Sequence, residues 1–330
     1  MKKNTPNNSK QIGTLITSFR EKRGMTQKEL GICIGTTQSA VARMERGEQN
    51  LSTDMLERLS SALHTKLIEL GTGTMSFEIK GGKKLSGTIV TNSSKNGAVA
   101  LLCASLLNKG TTTLKHMPKI EEVYRIIEVL QSIGVKVKWH GGDVHITQPS
   151  KYSLSKIRKD SAEKTRSIIM FIGPLIHSLR SFSLPHSGGC KLGSRTVKPH
   201  FFALEKLGVS IITKENEYRI SHNDLNASHI TLYESGDTVT VNALLAAAKI
   251  PETTTIHFAS ANYQVQDVCY FLEKLGVTVE GIGTTTLSVT GKKDMNADVE
   301  YTVSEDPTDA MFFITTAAVT NSEITITRCP

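Results

Sequence analysis

Three short segments of this 330-residue chain carry side chains whose types and spacing suit them to chemistry or recognition. The first is Leu184-Pro-His-Ser-Gly-Gly-Cys190-Lys191-Leu-Gly-Ser-Arg195, in which three glycines give a mobile loop and the cysteine has His186, Lys191 and Arg195 close in sequence. Cations stabilise a thiolate, so a cysteine so placed is suited to proton transfer or nucleophilic attack near neutrality. The second is Thr91-Asn-Ser-Ser-Lys95-Asn96-Gly97. Its lysine offers a point charge for phosphate or carboxylate, and the neighbouring amide offers directional bonds to a hydroxyl or amide. The third is a helical face made of Gln38, Ser39, Ala42, Arg43 and Arg46. Gln and Arg form bidentate bonds with adenine and guanine edges, and small residues permit close approach. On spacing alone Lys95 also reads as a solvated turn lysine, Cys190 as a chance loop cysteine, and the helical face as a solvated surface.

The elements that must hold these residues are legible. Ile12, Leu15, Ile16 and Phe19 fall at helical spacing up to Gly24. Thr26, with Glu29 three residues on, has the capping-box pattern. Thr37 caps a third helix running from Gln38 to Arg46, with Ala40, Val41 and Met44 turned inward, and a fourth opens at Ser52 or Thr53. This module, residues 11–70, resembles the Cro/repressor-type helix-turn-helix family through Met25-Thr-Gln-Lys-Glu-Leu and Gly35-Thr-Thr-Gln-Ser-Ala-Val-Ala-Arg-Met-Glu-Arg-Gly47. The resemblance implies a dimer placing its third helix in the DNA major groove, with Gln27, Gln38, Ser39 and Arg43 as contacts. Gly31, where the family usually has Ala, is expected to loosen the helix pair.

After a polar tail (residues 1–10), this module and a linker (residues 71–75), the rest of the chain repeats itself. Leu130-Gln-Ser-Ile-Gly134-Val-Lys-Val recurs as Leu204-Glu-Lys-Leu-Gly208-Val-Ser-Ile and as Leu272-Glu-Lys-Leu-Gly276-Val-Thr-Val. Each copy ends a helix on glycine and turns into alternating strands. Upstream, Gly110-Thr-Thr-Thr-Leu matches Glu252-Thr-Thr-Thr-Ile. The unit is strand, helix, strand, helix, strand, strand, and such units pack around a shared axis with helices inside. Three complete copies are expected over residues 76–291, with a fourth from about Val299 that stops before its second helix.

Lys95-Asn96, Lys164-Thr-Arg166, Gly173-Pro-Leu and the Cys190 loop occur in the order found in the enolpyruvyl transferases that act on UDP-N-acetylglucosamine, which the chain resembles over residues 76–330. The related shikimate enzymes, with an Asp-Lys-Ser motif and no cysteine loop, are less similar. The resemblance implies an α/β fold of βαβαββ units forming one lobe of an inside-out barrel, the second lobe largely missing and the chain a truncated one. It implies transfer of enolpyruvyl from phosphoenolpyruvate to the sugar 3-hydroxyl, a step of peptidoglycan synthesis, without metal or organic cofactor. Carried over by motif, Lys95 and Arg195 hold phosphoenolpyruvate, Asn96 the sugar nucleotide, Arg166 positions the nucleotide, and Cys190 donates a proton. Departures from the family are the inserted His186-Ser187, Thr196 in place of Pro, Lys198 in place of an acid, and Ala261-Asn-Tyr-Gln-Val-Gln-Asp267 in place of a motif with two glutamates. A regulator that senses a cell-wall precursor through a degenerate transferase lobe, and an inactive gene fragment, remain alternatives.

Composition bounds these readings. The hydrophobic share is 38% and the charged share 21%, as in ordinary globular proteins, and no apolar run reaches membrane-helix length. The polar start lacks an apolar leader, and five cysteines without metal spacing read as reduced thiols, so a cytoplasmic protein without a membrane partner is expected. The net charge is +8, and residues 1–73 hold 11 Lys and Arg against 7 Asp and Glu. That half of the excess sits in under a quarter of the chain, which suits nucleic acid there and anionic substrates beyond it.

Overall fold

The structure is a computed structural model describing residues 8–49, 51, 53–63, 81–188 and 196–330. The chain divides into two compact units, residues 1–81 and 82–330.

The first unit contains α1 (Asn8–Lys22), α2 (Gln27–Cys33), α3 (Gln38–Glu45) and α4 (Thr53–Ala62). Thr26 and Glu29 form the reciprocal capping box, and the Thr37 hydroxyl accepts from the Ala40 N–H. Ile16, Leu30, Ile34, Val41, Met44, Leu59 and Leu63 interlock as the core. Gly31 tightens this packing: a Cβ there would stand 3.1 Å from Thr36 O and 3.2 Å from Thr37 C. The missing methyl lets α2 approach the turn before α3, contrary to the loosening expected from sequence.

In the second unit the elements follow a recurring order. β1 (Ser86–Val90), α5 (Lys95–Ala104), β2 (Thr112–Lys115), α6 (Glu121–Ser132), β3 (Lys136–His140) and β4 (Asp143–Thr147) come first. Then come α7 (Lys159–Ala162), α8 (Ile172–Leu175), β5 (Ser181–Pro185), α9 (Lys198–Glu205), β6 (Val209–Thr213) and β7 (Glu217–His222). The third set is β8 (His229–Thr231), α10 (Asp237–Ala247), β9 (Thr254–His257), α11 (Tyr263–Lys274), β10 (Thr278–Glu280) and β11 (Thr286–Thr290). β12 (Val299–Thr302), α12 (Pro307–Val319) and β13 (Glu323–Thr327) complete the series. Gly134, Gly208 and Gly276 hold φ of 104°, 94° and 88°, a left-handed turn open to glycine without steric cost.

Helix composition dictates the layering. Beyond their first turns α5 is wholly apolar and α10 is apolar save Thr240 and Asn242, so both must be enclosed, and Gly97–Ala104 and Val239–Ala247 are buried throughout. α10 packs against α5, α8, α9 and α11, and the sheets lie outside this helical centre. α12 is equally apolar in sequence, yet Met311, Phe312 and Val319 are 60%, 65% and 77% exposed.

Two of the expected repeats are not self-contained. In the second copy no opening strand forms among the described residues. Ser150–Lys156 has three serines, two lysines and no β-branched residue, and it makes a 3₁₀ turn at Leu154–Lys156. Its sheet therefore has three strands, β5-β7-β6, whereas the third copy has four, β10-β11-β9-β8. The first copy exchanges a strand: β1 pairs in parallel with β13, and β12 takes its place beside β2, giving the sheet β12-β2-β4-β3.

Candidate functional site

In the helix-turn-helix unit, α3 presents Gln38, Ser39 and Arg43 to solvent while Ala40, Val41 and Met44 are buried. The face is braced from beneath. The Arg20 guanidinium donates to Glu45 at 2.6 Å, the two side chains being 10% and 6% exposed. Gln27 Nε2 donates to the other Glu45 oxygen at 2.9 Å, and Gln38 Nε2 donates to Gln27 Oε1 at 2.8 Å. Burial alone would raise the Glu45 carboxyl, but the bonds from Arg20 and Gln27 outweigh it and hold it below the usual range. A buried ion pair thus orients, through Gln27, the first residue of the exposed helix. Ser39 lies 3.1 Å from the Thr37 hydroxyl, and Arg46 pairs with Glu48 at 2.8 Å.

In the second unit the sites form where the central helices begin. Ser94 caps α5, its hydroxyl accepting from Gly97 N–H at 2.9 Å, which sets Lys95 and Asn96 on the first turn. Arg166 opens a 3₁₀ segment, Arg166–Phe171, capped by the Thr165 hydroxyl. Asn96 and Arg166 line one cavity of ≈ 730 Å³, together with Ser235, Gly236 and Asp237 at the start of α10 and with Gln264. Helix N-termini direct free N–H groups and partial positive charge at whatever occupies such a space, a setting for anionic groups. The Arg166 guanidinium also donates to Thr196 O at 2.8 Å. Asp237 is engaged by the Ser260 hydroxyl at 2.5 Å and the Asn262 amide at 3.3 Å.

Lys95 turns the other way, into a neighbouring cavity of ≈ 620 Å³ shared with His116, Lys119, Asp306 and Arg328. Its ammonium donates to Glu122 at 2.7 Å. The same glutamate accepts from the Thr165 hydroxyl at 3.0 Å and the Ser167 hydroxyl at 2.8 Å, the residues on either side of Arg166. Burial pushes the Glu122 carboxyl up, and the bonds from Lys95, Ser167 and Thr165 more than offset it. Glu122 therefore couples the two cation-bearing turns. Sequence reasoning missed it because an acid in a helix's first turn is already explained by the helix dipole.

Cys190 and Arg195, the other two expected site residues, lie outside the described residues, as do Gly189 and Lys191. His186, at the near edge of that stretch, packs against Tyr218 with the rings tilted and their centroids 4.6 Å apart. Lys198, at the far side, is exposed at the start of α9. His200 beneath it is buried, and burial followed by the charge of Arg166 lowers its pKa to about 3, so the imidazole is neutral. Cys103 and Cys269 are buried in the helical centre, as their apolar surroundings in sequence imply.

This geometry can be set beside known proteins. Residues 79–330 match the family described as EPSP synthase (3-phosphoshikimate 1-carboxyvinyltransferase). The chain belongs to the EPSP synthase family. Residues 16–70 match a helix-turn-helix family. Among curated relatives of this EPSP synthase-family chain, the UDP-N-acetylglucosamine 1-carboxyvinyltransferase of Treponema denticola is 34% identical over 251 residues, covering 76% of this chain and 58% of its own. That of Pelodictyon phaeoclathratiforme is 32% identical over 251 residues, covering 75% and 59%. The chain spans less than three-fifths of the length of these relatives. Among solved structures, the enolpyruvyl transferase NikO from Streptomyces tendae superposes with a TM-score of 0.62 at 18% identity, over 71% of this chain and 55% of that one. An EPSP synthase from Acinetobacter baumannii gives 0.57 at 19% identity, over 74% and 56%. These likenesses place the fold of the second unit. Among the described residues no cluster of side chains could hold a metal, and no helix is long and apolar enough to cross a membrane.

Proposed function

We propose that the second unit belongs to an enolpyruvyl transferase that binds phosphoenolpyruvate and UDP-N-acetylglucosamine, and that the first unit binds DNA. The carrying observation is that Asn96 and Arg166, from different copies of the repeat, line one cavity at the N-terminal ends of the central helices. In this reading Asn96 bonds the sugar nucleotide, Arg166 positions its diphosphate, and Lys95 with Arg195 holds phosphoenolpyruvate. Cys190 gives its proton to the enolpyruvyl methylene carbon as the sugar 3-hydroxyl attacks C2 and releases its own proton to solvent; the methyl group so formed then returns a proton to the Cys190 thiolate as the double bond re-forms and the C2–O bond to phosphate breaks. Both substrates are anions, and charge moves onto the departing phosphate, which fixed cations stabilise. The reaction needs no cofactor and belongs to the cytoplasm. Titration calorimetry with UDP-N-acetylglucosamine tests the reading, and Asn96→Ala and Arg166→Ala each weaken binding about tenfold or more. Unchanged affinity in both variants would remove the site.

A second reading is favoured by the braced face of the helix-turn-helix unit, in which Arg20, Glu45, Gln27 and Gln38 form one bonded chain. Here the transferase unit senses a cell-wall precursor and the protein regulates transcription, binding DNA as a dimer. DNA affinity that changes on adding UDP-N-acetylglucosamine, with no phosphate released from phosphoenolpyruvate, distinguishes it from catalysis.

A further inference from the structure

The helices that begin at the candidate active site finish at a second opening. Asn96, the Arg166–Phe171 turn leading into α8, and Asp237 mark the first end. The chain just beyond α5, α8 and α10 supplies Lys109, His177 and Lys249 to a cleft of ≈ 600 Å³ at the other, where Lys151, Lys293 and Asp294 join them. Nothing in the proposed transferase reaction uses this cleft.

Its charge is one-sided. Four lysines face it, with Asp294 as its one carboxylate among the described residues, and that carboxylate is paired with Lys109 at 3.2 Å. Lys249 is half-buried and makes no ion pair among the described residues. Helix C-termini carry partial negative charge and account for some of this preference for lysine. The carbonyls ending α10 are already engaged, however. Ala247 O accepts from Ile250 N–H, Ala248 O accepts from Lys292 N–H at 2.9 Å, and Leu245 O faces His177 at 3.3 Å. The outcome is visible in the titrating groups. Burial, then the charge of Lys109, lowers Lys249, and burial, then the charge of Lys249, brings His177 to about 4. The neutral imidazole leaves the lysines as the cleft's cations, and Asp294, already paired with Lys109, is the one carboxylate among the described residues there to offset the four. Hydroxyls of Ser150 and Ser178 line the same space.

We propose that this cleft is a second anion site, which takes a compact, multiply charged phosphate compound between Lys249, Lys151 and Lys293. Two or more adjacent negative charges match three ammonium groups around one opening, and lysine serves phosphate as a point charge.

Inorganic pyrophosphate is the probe, titrated into the full chain by calorimetry in magnesium-free buffer at low salt. Binding to the wild type is expected to weaken as salt rises. Lys249→Met is expected to weaken it at least tenfold, with Arg166→Ala unchanged. Met keeps the length of the buried stem, and the exposed Lys151→Ala/Lys293→Ala pair serves as a second test should Lys249→Met unfold. Uridine diphosphate run alongside separates a nucleotide from free pyrophosphate: tighter binding lost in Lys249→Met assigns the nucleotide. Pyrophosphate binding abolished by Arg166→Ala and not by the lysine variants would overturn the proposal, since the ion would then sit in the first cavity. DNA affinity that falls in step with the lysine variants, without pyrophosphate binding, would also overturn it and give the lysines to nucleic acid.

Discussion

Gln38 Nε2 donates to Gln27 Oε1 at 2.8 Å, so the first residue of the exposed helix is held by a residue of the helix before it. Arg43, one turn further along, has no such brace among the hydrogen bonds described and stands exposed. If it reads a base, Arg43→Ala costs about 1–3 kcal/mol on a cognate site and relaxes specificity at one position. Anisotropy titrations over genomic fragments measure this. Weak binding to every sequence, indifferent to the substitution, would reduce the unit to a charged helical bundle.

The Lys95–Glu122 pair gives opposite expectations for two substitutions. Glu122→Gln keeps acceptors for Thr165 and Ser167 while releasing the Lys95 charge, so phosphoenolpyruvate binds as tightly as before or more tightly. Glu122→Ala leaves both hydroxyls without their acceptor and lets the Arg166 turn shift, so UDP-N-acetylglucosamine binding weakens about tenfold. Calorimetry on both variants decides. Equal loss in both would mean that the negative charge itself is needed.

For Cys190 the comparison is with the other thiols. Burial, then the charge of Glu273, pushes Cys269 up to about 12, and burial raises Cys103 further still, so neither is reactive near neutrality. Cys33 and Cys329 are exposed without a flanking glycine-rich cationic loop. An epoxide phosphonate of the fosfomycin type should therefore alkylate Cys190 first, and more slowly in Lys95→Ala. Peptide mapping by mass spectrometry reads the outcome. Labelling divided evenly among Cys190, Cys33 and Cys329 would leave the loop with no special chemistry.

Acid should destabilise the second unit through two histidines. His177 is brought to about 4 and His200 to about 3, each chiefly by burial. Between an unfolded value near 6.5 and these folded values, the unfolded chain binds protons that the folded one refuses, so stability is full above about pH 6.5 and falls as pH drops toward 4. The slope approaches about 1.4 kcal/mol per pH unit for each imidazole. Urea melts from pH 7.5 to 4.5 should show it, and His177→Gln should flatten the curve. A flat profile in the wild type would show that these rings are solvated.

Hydrogen exchange should separate the two exchanged strands. β1 and β13 form a two-stranded sheet whose first strand is exposed along its whole length. Such a pair is marginal in water, so amides of Glu323–Thr327 should exchange quickly. β12, inside a four-stranded sheet, should exchange slowly. Equal protection in β12 and β13 would show that something covers the smaller sheet.

Much of this architecture could be read from residue order. Thr26 and Glu29 announce a capping box because the two bonds are local, and Gly134, Gly208 and Gly276 announce the repeat because each must turn left-handed. The apolar runs of α5 and α10 require enclosure whatever their neighbours. What escaped notice is non-local. Nothing near Ser86 says that β1 will pair with Glu323–Thr327, at the far end of the sequence. Glu122 escaped for the same reason, its three partners lying on turns far from it in sequence. Lys95 and Asn96 are adjacent in sequence, but a helix turns neighbours about 100° apart, so they line neighbouring cavities.

The pairing of Thr112 with Val299 also sets a schedule for synthesis. The sheet that contains β2 cannot gain its outer parallel strand until the ribosome has passed Thr302. At roughly 5–20 residues per second, that leaves the edge of β2 without its partner for on the order of ten seconds or longer. During that interval an open strand edge is presented to other chains, and sheet closure over so long a separation is slow in itself. The first copy of the repeat is made first and completed late, so its folding waits on translation and is exposed to chaperones throughout.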